Sequence, residues 1–220
     1  MKPLNRTAEQ IHCLQRGATV FRVPVKPQPP ECDFVETYND PPHMQSPATV
    51  ADFYKITSPK TEDSVMTIGC PFGTPGDSLY VRETWHYTGG NNVEPSPGYV
   101  SYRADGEFTV DKAAKWRPLT TMPAWASRYT LTVVSVLVER LQDVTEEDAV
   151  IEGFPLPDGM KARICITGLD GKTTKSLGKV WDMTALDGLK RYWNAQHPKQ
   201  PWEQNPWVWR IEHKPVEAAK

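Results

Sequence analysis

Residues 78–85, SLYVRETW, alternate in character: Leu79, Val81, Glu83 and Trp85 fall on one face of an extended strand, and Tyr80, Arg82 and Thr84 on the other. The more apolar face therefore carries a carboxylate. An unpaired buried carboxylate is costly enough to change its own protonation state, so Glu83 must be either paired or used. A longer strand is predicted over residues 127–141, SRYTLTVVSVLVERL. Its apolar positions are first Leu131 and Val133, then Val134, Val136 and Val138 on the opposite parity, and this switch predicts a bulge or sharp coil near Val133. Residues 99–104 (YVSYRA) and 205–214 (NPWVWRIEHK) predict shorter strands, the second with Trp207 and Trp209 on one face.

Helical spacing occurs in three places, each behind a capping pair. Thr7 with Gln10 precedes Ile11 and Leu14, and Gly17 suits a left-handed stop, so a helix is predicted over about residues 7–16. Thr145 with Asp148 opens a short helix from about 146 to 152, which Gly153 ends. Thr184 with Asp187 opens an amphipathic helix with Leu186, Leu189 and Trp193 on its apolar face, closed by Pro198.

Between these elements the chain is rich in turn formers, with 21 Pro and 14 Gly and a mean hydropathy of −0.54. Residues 24–64 hold VPVKPQPPE and NDPPHMQSP with only fragments of periodicity, and read as an extended, proline-rich insertion wrapping the surface. Gly76–Asp77 marks a turn ahead of the SLYVRETW strand, and residues 91–98 (NNVEPSPG) another loop. Residues 159–180 read as a flexible basic loop, since 161–179 carry five basic residues and one acid among Gly, Thr and Ser. There is no internal repeat, and 220 residues suffice for a single domain with insertions.

Charge narrows little. Lys and Arg number 25 against 27 Asp and Glu, a formal net charge of −2, so a nucleic-acid partner would have to be held by a local group of cations. The four cysteines, Cys13, Cys32, Cys70 and Cys165, and the five histidines are scattered, with no pair at zinc-ligand spacing; reduced structural thiols and no metal site are expected. No apolar run approaches a membrane span and no apolar segment follows MKPLNRTAEQ, so a soluble, cytoplasmic protein is expected.

In order along the chain, the first helix, the RGATVFR turn, VKPQP, PFGTPGDSLYVRETW, WRPLTTMPAWASR, LQDVTEEDAVIEGF and the final Trp-rich strand resemble ASCH-domain proteins of the PUA-like superfamily, most closely the type common in phages and prophages. The likeness spans nearly the whole chain outside the proline-rich and basic insertions. It implies an α+β fold: a curved, PUA-like β-barrel flanked by short helices, with a cleft between the barrel and the first helix. It further implies binding of RNA, single-stranded nucleic acid or a nucleotide, modified nucleotides included, with no cofactor; a phage-encoded protein would act in the host cytoplasm. The signature turn, usually Gly-x-Lys-Thr followed by Arg, is matched at Thr19 and Arg22, while Ala18 stands at the usual lysine position.

Some small bacterial members deacylate an acetylated cytidine with a lysine and a threonine of this turn and a glutamate of the short helix. By position the glutamate is Glu152, and the other two align with Ala18 and Phe21. A methyl group cannot replace an amine that serves as nucleophile or base. The candidate ligand-binding residues are Thr19, Arg22, Arg82, Trp85, Arg117, Trp125 and Arg128, with arginines for phosphate and tryptophans for base stacking. Glu83 is open to two roles, orienting a ligand's amino groups or pairing with Arg117 or Arg128. The alternatives to a binding protein are a hydrolase of a modified nucleoside or of RNA, with Glu152 or Glu83 as acid or base, and a phage protein that uses the barrel to contact a host protein or in morphogenesis.

Overall fold

The structure is a computed structural model that describes residues 1–39, 49–58, 61–88, 99–106, 115–154, 184–214 and 217–218. The predicted basic loop at 159–180 and Cys165 lie outside these residues. The chain begins with β1 (Lys2–Asn5), α1 (Ala8–Gln15) and β2 (Val20–Pro24). A meander of β3 (Phe34–Asn39), β4 (Thr49–Ser58) and β5 (Thr61–Gly69) follows, then β6 (Ser78–Arg82), β7 (Trp85–Tyr87), β8 (Val100–Tyr102) and β9 (Tyr129–Arg140). After these come α2 (Glu146–Ile151), α3 (Ala185–Gln196), β10 (Trp207–His213) and β11 (Glu217–Ala218).

The result is a mixed α+β fold with mostly strands and few helices. Its principal sheet has the order β1-β6-β9-β10-β2; β1 and β6 run parallel and the other neighbours antiparallel. The expected barrel does not close. β1 and β2 are the two edges of an open sheet, and the chain crosses from one edge to the other through α1, whose Ile11 and Leu14 enter the main core.

The predicted irregularity in β9 is present. Val133 pairs with His213 but Ser135 with Glu212, so Val134 is the extra residue of a bulge, and the buried positions pass from Leu131 and Val133 to Val136. Before the bulge β9 pairs with β6 on one side and β11 on the other; beyond it β9 pairs with β10. The Gly76–Asp77 turn fits against this kink: Gly76 has φ +95°, its N–H donates to the Val133 carbonyl at 2.9 Å, and the Val133 N–H donates back to Asp77 O at 2.9 Å.

All three helices carry the predicted capping boxes, at Thr7–Gln10, Thr145–Asp148 and Thr184–Asp187. The proline-rich stretch differs from expectation. Within 24–64 and just beyond it, β3, β4 and β5 form an antiparallel sheet. None of the three strands contains a proline, so no ladder position lacks its backbone N–H. Ala51 and Phe53 bury fully, and the Phe53 ring meets Trp207 edge-on at 5.5 Å. β10 is covered on both faces: Trp207, Trp209 and Ile211 belong to the main core, and Val208 packs with Leu189, Trp193 and Trp202 beneath α3. Among the described residues no helix is long and apolar enough to cross a membrane.

Candidate functional site

The ends of β1 and β2 build one wall of a cleft. Leu4 and Arg6 share a parity, and both are buried. The Arg6 N–H donates to the Arg82 carbonyl at 2.8 Å, extending the β1–β6 ladder by one residue, and its guanidinium lies over the Phe21 ring at 3.8 Å. Among the described residues Arg6 has no carboxylate partner, and its Nη2 meets no acceptor. Desolvation by burial lowers its pKa to about 10, with Tyr192 and Cys13 opposing.

Arg22, on β2, is the hub of a buried ion network. Its Nε donates to Glu139 Oε1 at 2.5 Å, Nη1 donates to Glu152 Oε1, and Nη2 stands 3.6 Å from Asp148 Oδ1 without a hydrogen bond. Arg210 extends the network, 3.7 Å from Asp148 and 2.5 Å from Glu212, which also accepts from Ser135 Oγ at 2.7 Å. Glu152 is the C-cap of α2, and the chain then turns at Gly153 with φ +82°. That turn is clamped: Arg16 Nε and Nη2 donate to Gly153 O at 2.9 and 2.6 Å, and the Thr19 N–H donates to Ile151 O at 3.2 Å. α1, the turn at residues 16–19 and the end of α2 therefore hold Glu152 opposite Arg22.

Between β2, α1 and α3 lies a cavity of about 30 Å³, with Arg6, Gln10, Arg22, Glu152 and Tyr192 as its main polar walls and Ala18 among its apolar ones. Space of this size has no room for a planar base. The Tyr192 hydroxyl is 3.4 Å from Thr7 Oγ1, and burial raises its pKa to about 12. Ala18 is 4% exposed, and its methyl is part of the cleft wall.

The other candidates gather elsewhere. Glu83, 2% exposed, receives a two-pronged contact from Arg128, Nε to Oε1 at 2.8 Å and Nη2 to Oε2 at 2.9 Å. Arg128 Nη1 binds Asp105 at 2.8 and 2.7 Å, and the guanidinium lies 4.1 Å from the Tyr102 ring centroid. Desolvation raises the Glu83 pKa, with the Arg128 bonds opposing. Burial alone would lower the Arg128 pKa, but its two carboxylate partners raise it above its ordinary value.

Trp85 is core, packed with Tyr102, Met122 and Ala126, and its Nε1 is 3.3 Å from Thr121 Oγ1. Exposed Arg117 lies over it at 5.0 Å, and Trp125, 38% exposed, stands edge-on to it at 6.1 Å. Arg82 is engaged with the Tyr80 hydroxyl at 2.6 Å and the Thr120 carbonyl at 3.2 Å.

Of the residues singled out from sequence, Arg22 and Glu152 line the cavity and Thr19 lies in its adjoining turn. Arg82, Glu83, Trp85, Arg117, Trp125 and Arg128 form a second group around β6, β7 and the segment before β9. Sequence reasoning missed Arg6, Gln10 and Tyr192. Arg6 carried a signal, its parity with Leu4; Gln10 was visible only as a cap, and Tyr192 as a neighbour of the apolar stripe. Among the described residues no group of three His, Cys, Asp or Glu is placed to hold a metal ion. No family model, curated protein or solved structure matches the chain.

Proposed function

We propose that this is an ASCH-type, PUA-like binding protein for a nucleotide or for single-stranded nucleic acid such as RNA, with the cleft between α1 and β2 as its ligand site. One observation carries the reading: two guanidinium groups, Arg6 and Arg22, each buried and each with an Nη2 lacking an acceptor, line the same cavity. An unsatisfied buried donor costs about 1–3 kcal/mol, and such positions are rare outside sites completed by a ligand or ordered water. The family reading rests on the order of the sequence motifs and is compatible with the mixed α+β fold. Glu152 is tied to Arg22 and Ala18 supplies no amine, so binding is favoured over amide hydrolysis.

Arg22 is a poor target for a test, because its removal would strand Glu139 and Glu152. Ala18→Leu fills the cavity while leaving every charge in place. Fluorescence anisotropy with labelled RNA and DNA single strands, competed by nucleotides, is expected to detect binding by the wild type that falls as salt rises, by about 0.7 log units per log unit of salt for each phosphate contact. Ala18→Leu is expected to abolish it at near-wild-type melting temperature. Undiminished binding by that variant would move the site to the Trp125–Arg117 face, and no binding by the wild type would end the nucleic-acid reading.

A further inference from the structure

We propose that the cleft is anchored by Arg6 and recognises a terminal phosphate, the phosphomonoester of a nucleotide or of a strand end, rather than a base or a bridging phosphodiester. The inference rests on the nucleotide-binding reading above and specifies which part of the ligand the cavity takes. Three observations lead to it.

Arg6 is the uncompensated charge of the site. The groups facing the cavity are Arg6, Arg22, Glu152, Tyr192, Cys13 and His197. Glu152 is bound to Arg22, which Glu139 and Asp148 also neutralise from behind. Burial lowers His197 below its ordinary 6.5, raises Cys13 above 9.0 and raises Tyr192 to about 12, so all three are neutral near pH 7. Among the described residues a positive charge is thus left at the Arg6 end with the Phe21 ring against it and no carboxylate partner for an entering anion to displace.

The donors converge from different elements. Arg6 Nη2, without an acceptor, comes from the end of β1, the Tyr192 hydroxyl from α3 and the Gln10 amide from α1, while Arg22 lines the same cavity from β2 with its Nη2 beside Asp148. A tetrahedral oxyanion presents oxygens in several directions to such walls, whereas a planar carboxylate is satisfied by a single arginine fork.

The enclosure excludes the alternatives. Arg6 is 4% and Arg22 6% exposed, and the free space is about 30 Å³, so a bridging phosphate with chain on both sides has no exit and a base no room. A chain end enters with its terminal oxygens first.

The test is thermal unfolding of the full chain with inorganic phosphate, cytidine, cytidine 5′-monophosphate, acetate, and one oligonucleotide with and without a 5′-phosphate. The expected result is a rise of several degrees with phosphate and the monophosphate, and none with cytidine or acetate. The Arg6→Met variant is expected to melt no lower than the wild type without ligand, since it replaces an unpaired buried cation by an apolar chain of similar length, and to lose the phosphate response with at least tenfold weaker affinity. Arg6→Lys, which keeps the charge but not the fork, is expected to retain part of the response, and covers the case in which the Met variant does not fold. A difference between the two oligonucleotides assigns the phosphate to a strand end; a response to the monophosphate with none to either oligonucleotide assigns it to a free nucleotide. Equal responses to cytidine and its monophosphate, or unchanged phosphate binding by Arg6→Met, would overturn the inference while leaving nucleotide binding intact. An acetate response equal to that of phosphate would also overturn it. Stabilisation by inorganic phosphate with none by any nucleotide or strand would uphold the phosphate site and refute the nucleotide-binding reading.

Discussion

Replacing Glu83 by Ala is expected to destabilise the fold strongly without touching the cleft. Glu83 is 2% exposed and accepts two charge-assisted bonds from Arg128, so truncation leaves Arg128 Nε and Nη2 without acceptors beside the Tyr102 and Tyr129 rings. Breaking a buried pair from one side costs about 3–5 kcal/mol. The lower end applies here because the Arg128 side chain keeps 19% exposure and its contacts to Asp105. A loss of about 3 kcal/mol corresponds to a fall of roughly 6–12 °C in melting temperature for a chain of this size. Glu83→Gln retains the shape and one acceptor and should cost only about 1–2 kcal/mol. Urea unfolding of Glu83→Ala, Arg128→Ala and the double variant would give the coupling directly, expected at about 1 kcal/mol or more. A Glu83→Ala protein within about 0.5 kcal/mol of the wild type would refute the pairing argument and return Glu83 to the role of a ligand-orienting group.

Three further outcomes are expected. Desolvation, together with Arg6, lowers the pKa of His213 below 6.5 against the opposing Lys214 carbonyl, so the unfolded chain binds a proton at a pH where the folded one does not. Stability should therefore be full above pH 6.5 and decline as pH falls below it, and His213→Gln should remove up to about 1.4 kcal/mol per pH unit of that slope; identical pH profiles would contradict this. Gly153→Ala places a Cβ 2.9 Å from Cys13 Cα, Cβ and O at φ +82°, and denaturant titration should register a loss of about 2 kcal/mol or more, whereas a neutral substitution would mean the turn is not held as described. Deacylation of acetylated cytidine should be absent or very weak, because Ala18 offers no amine and Glu152 is held by Arg22; turnover comparable to that of a lysine-bearing relative, measured by chromatography, would refute this.

The sequence alone determined the features whose physics is local. Thr7, Thr145 and Thr184 each face an acceptor side chain three residues on, and a capping box needs nothing from the rest of the chain. The alternation around Leu79 and Val81 and the parity switch after Val133 likewise fixed strand faces and the bulge, because a side chain's face depends only on its place in the pleat. Local reading also overextended one strand: β6 ends at Arg82 in the main sheet, and Trp85 opens β7, which pairs with β8 in a separate two-stranded sheet.

Only the tertiary structure decided which long-range partners those faces meet. Alternation put Glu83 inside but left Arg117 and Arg128 equivalent; the packing of the segment before β9 selected Arg128 and left Arg117 exposed over Trp85. Composition made residues 24–64 read as an extended, surface-wrapping insertion, yet Phe53 meets Trp207 edge-on and Ala51 buries in the same core cluster, joining the meander to a strand more than 150 residues away by sequence number. The sheet stays open, with β1 and β2 at its two edges although they are neighbours in the chain joined by α1, and no periodicity encodes that order. The candidate site divides in the same way. Arg22 and Glu152 were singled out only through the resemblance, by their places in the turn and the short helix, whereas Arg6, an ordinary arginine in the sequence, became a buried cation without a counter-ion among the described residues only when β1, Phe21 and α3 closed around it, because burial is a property of the assembled neighbours and not of the residue.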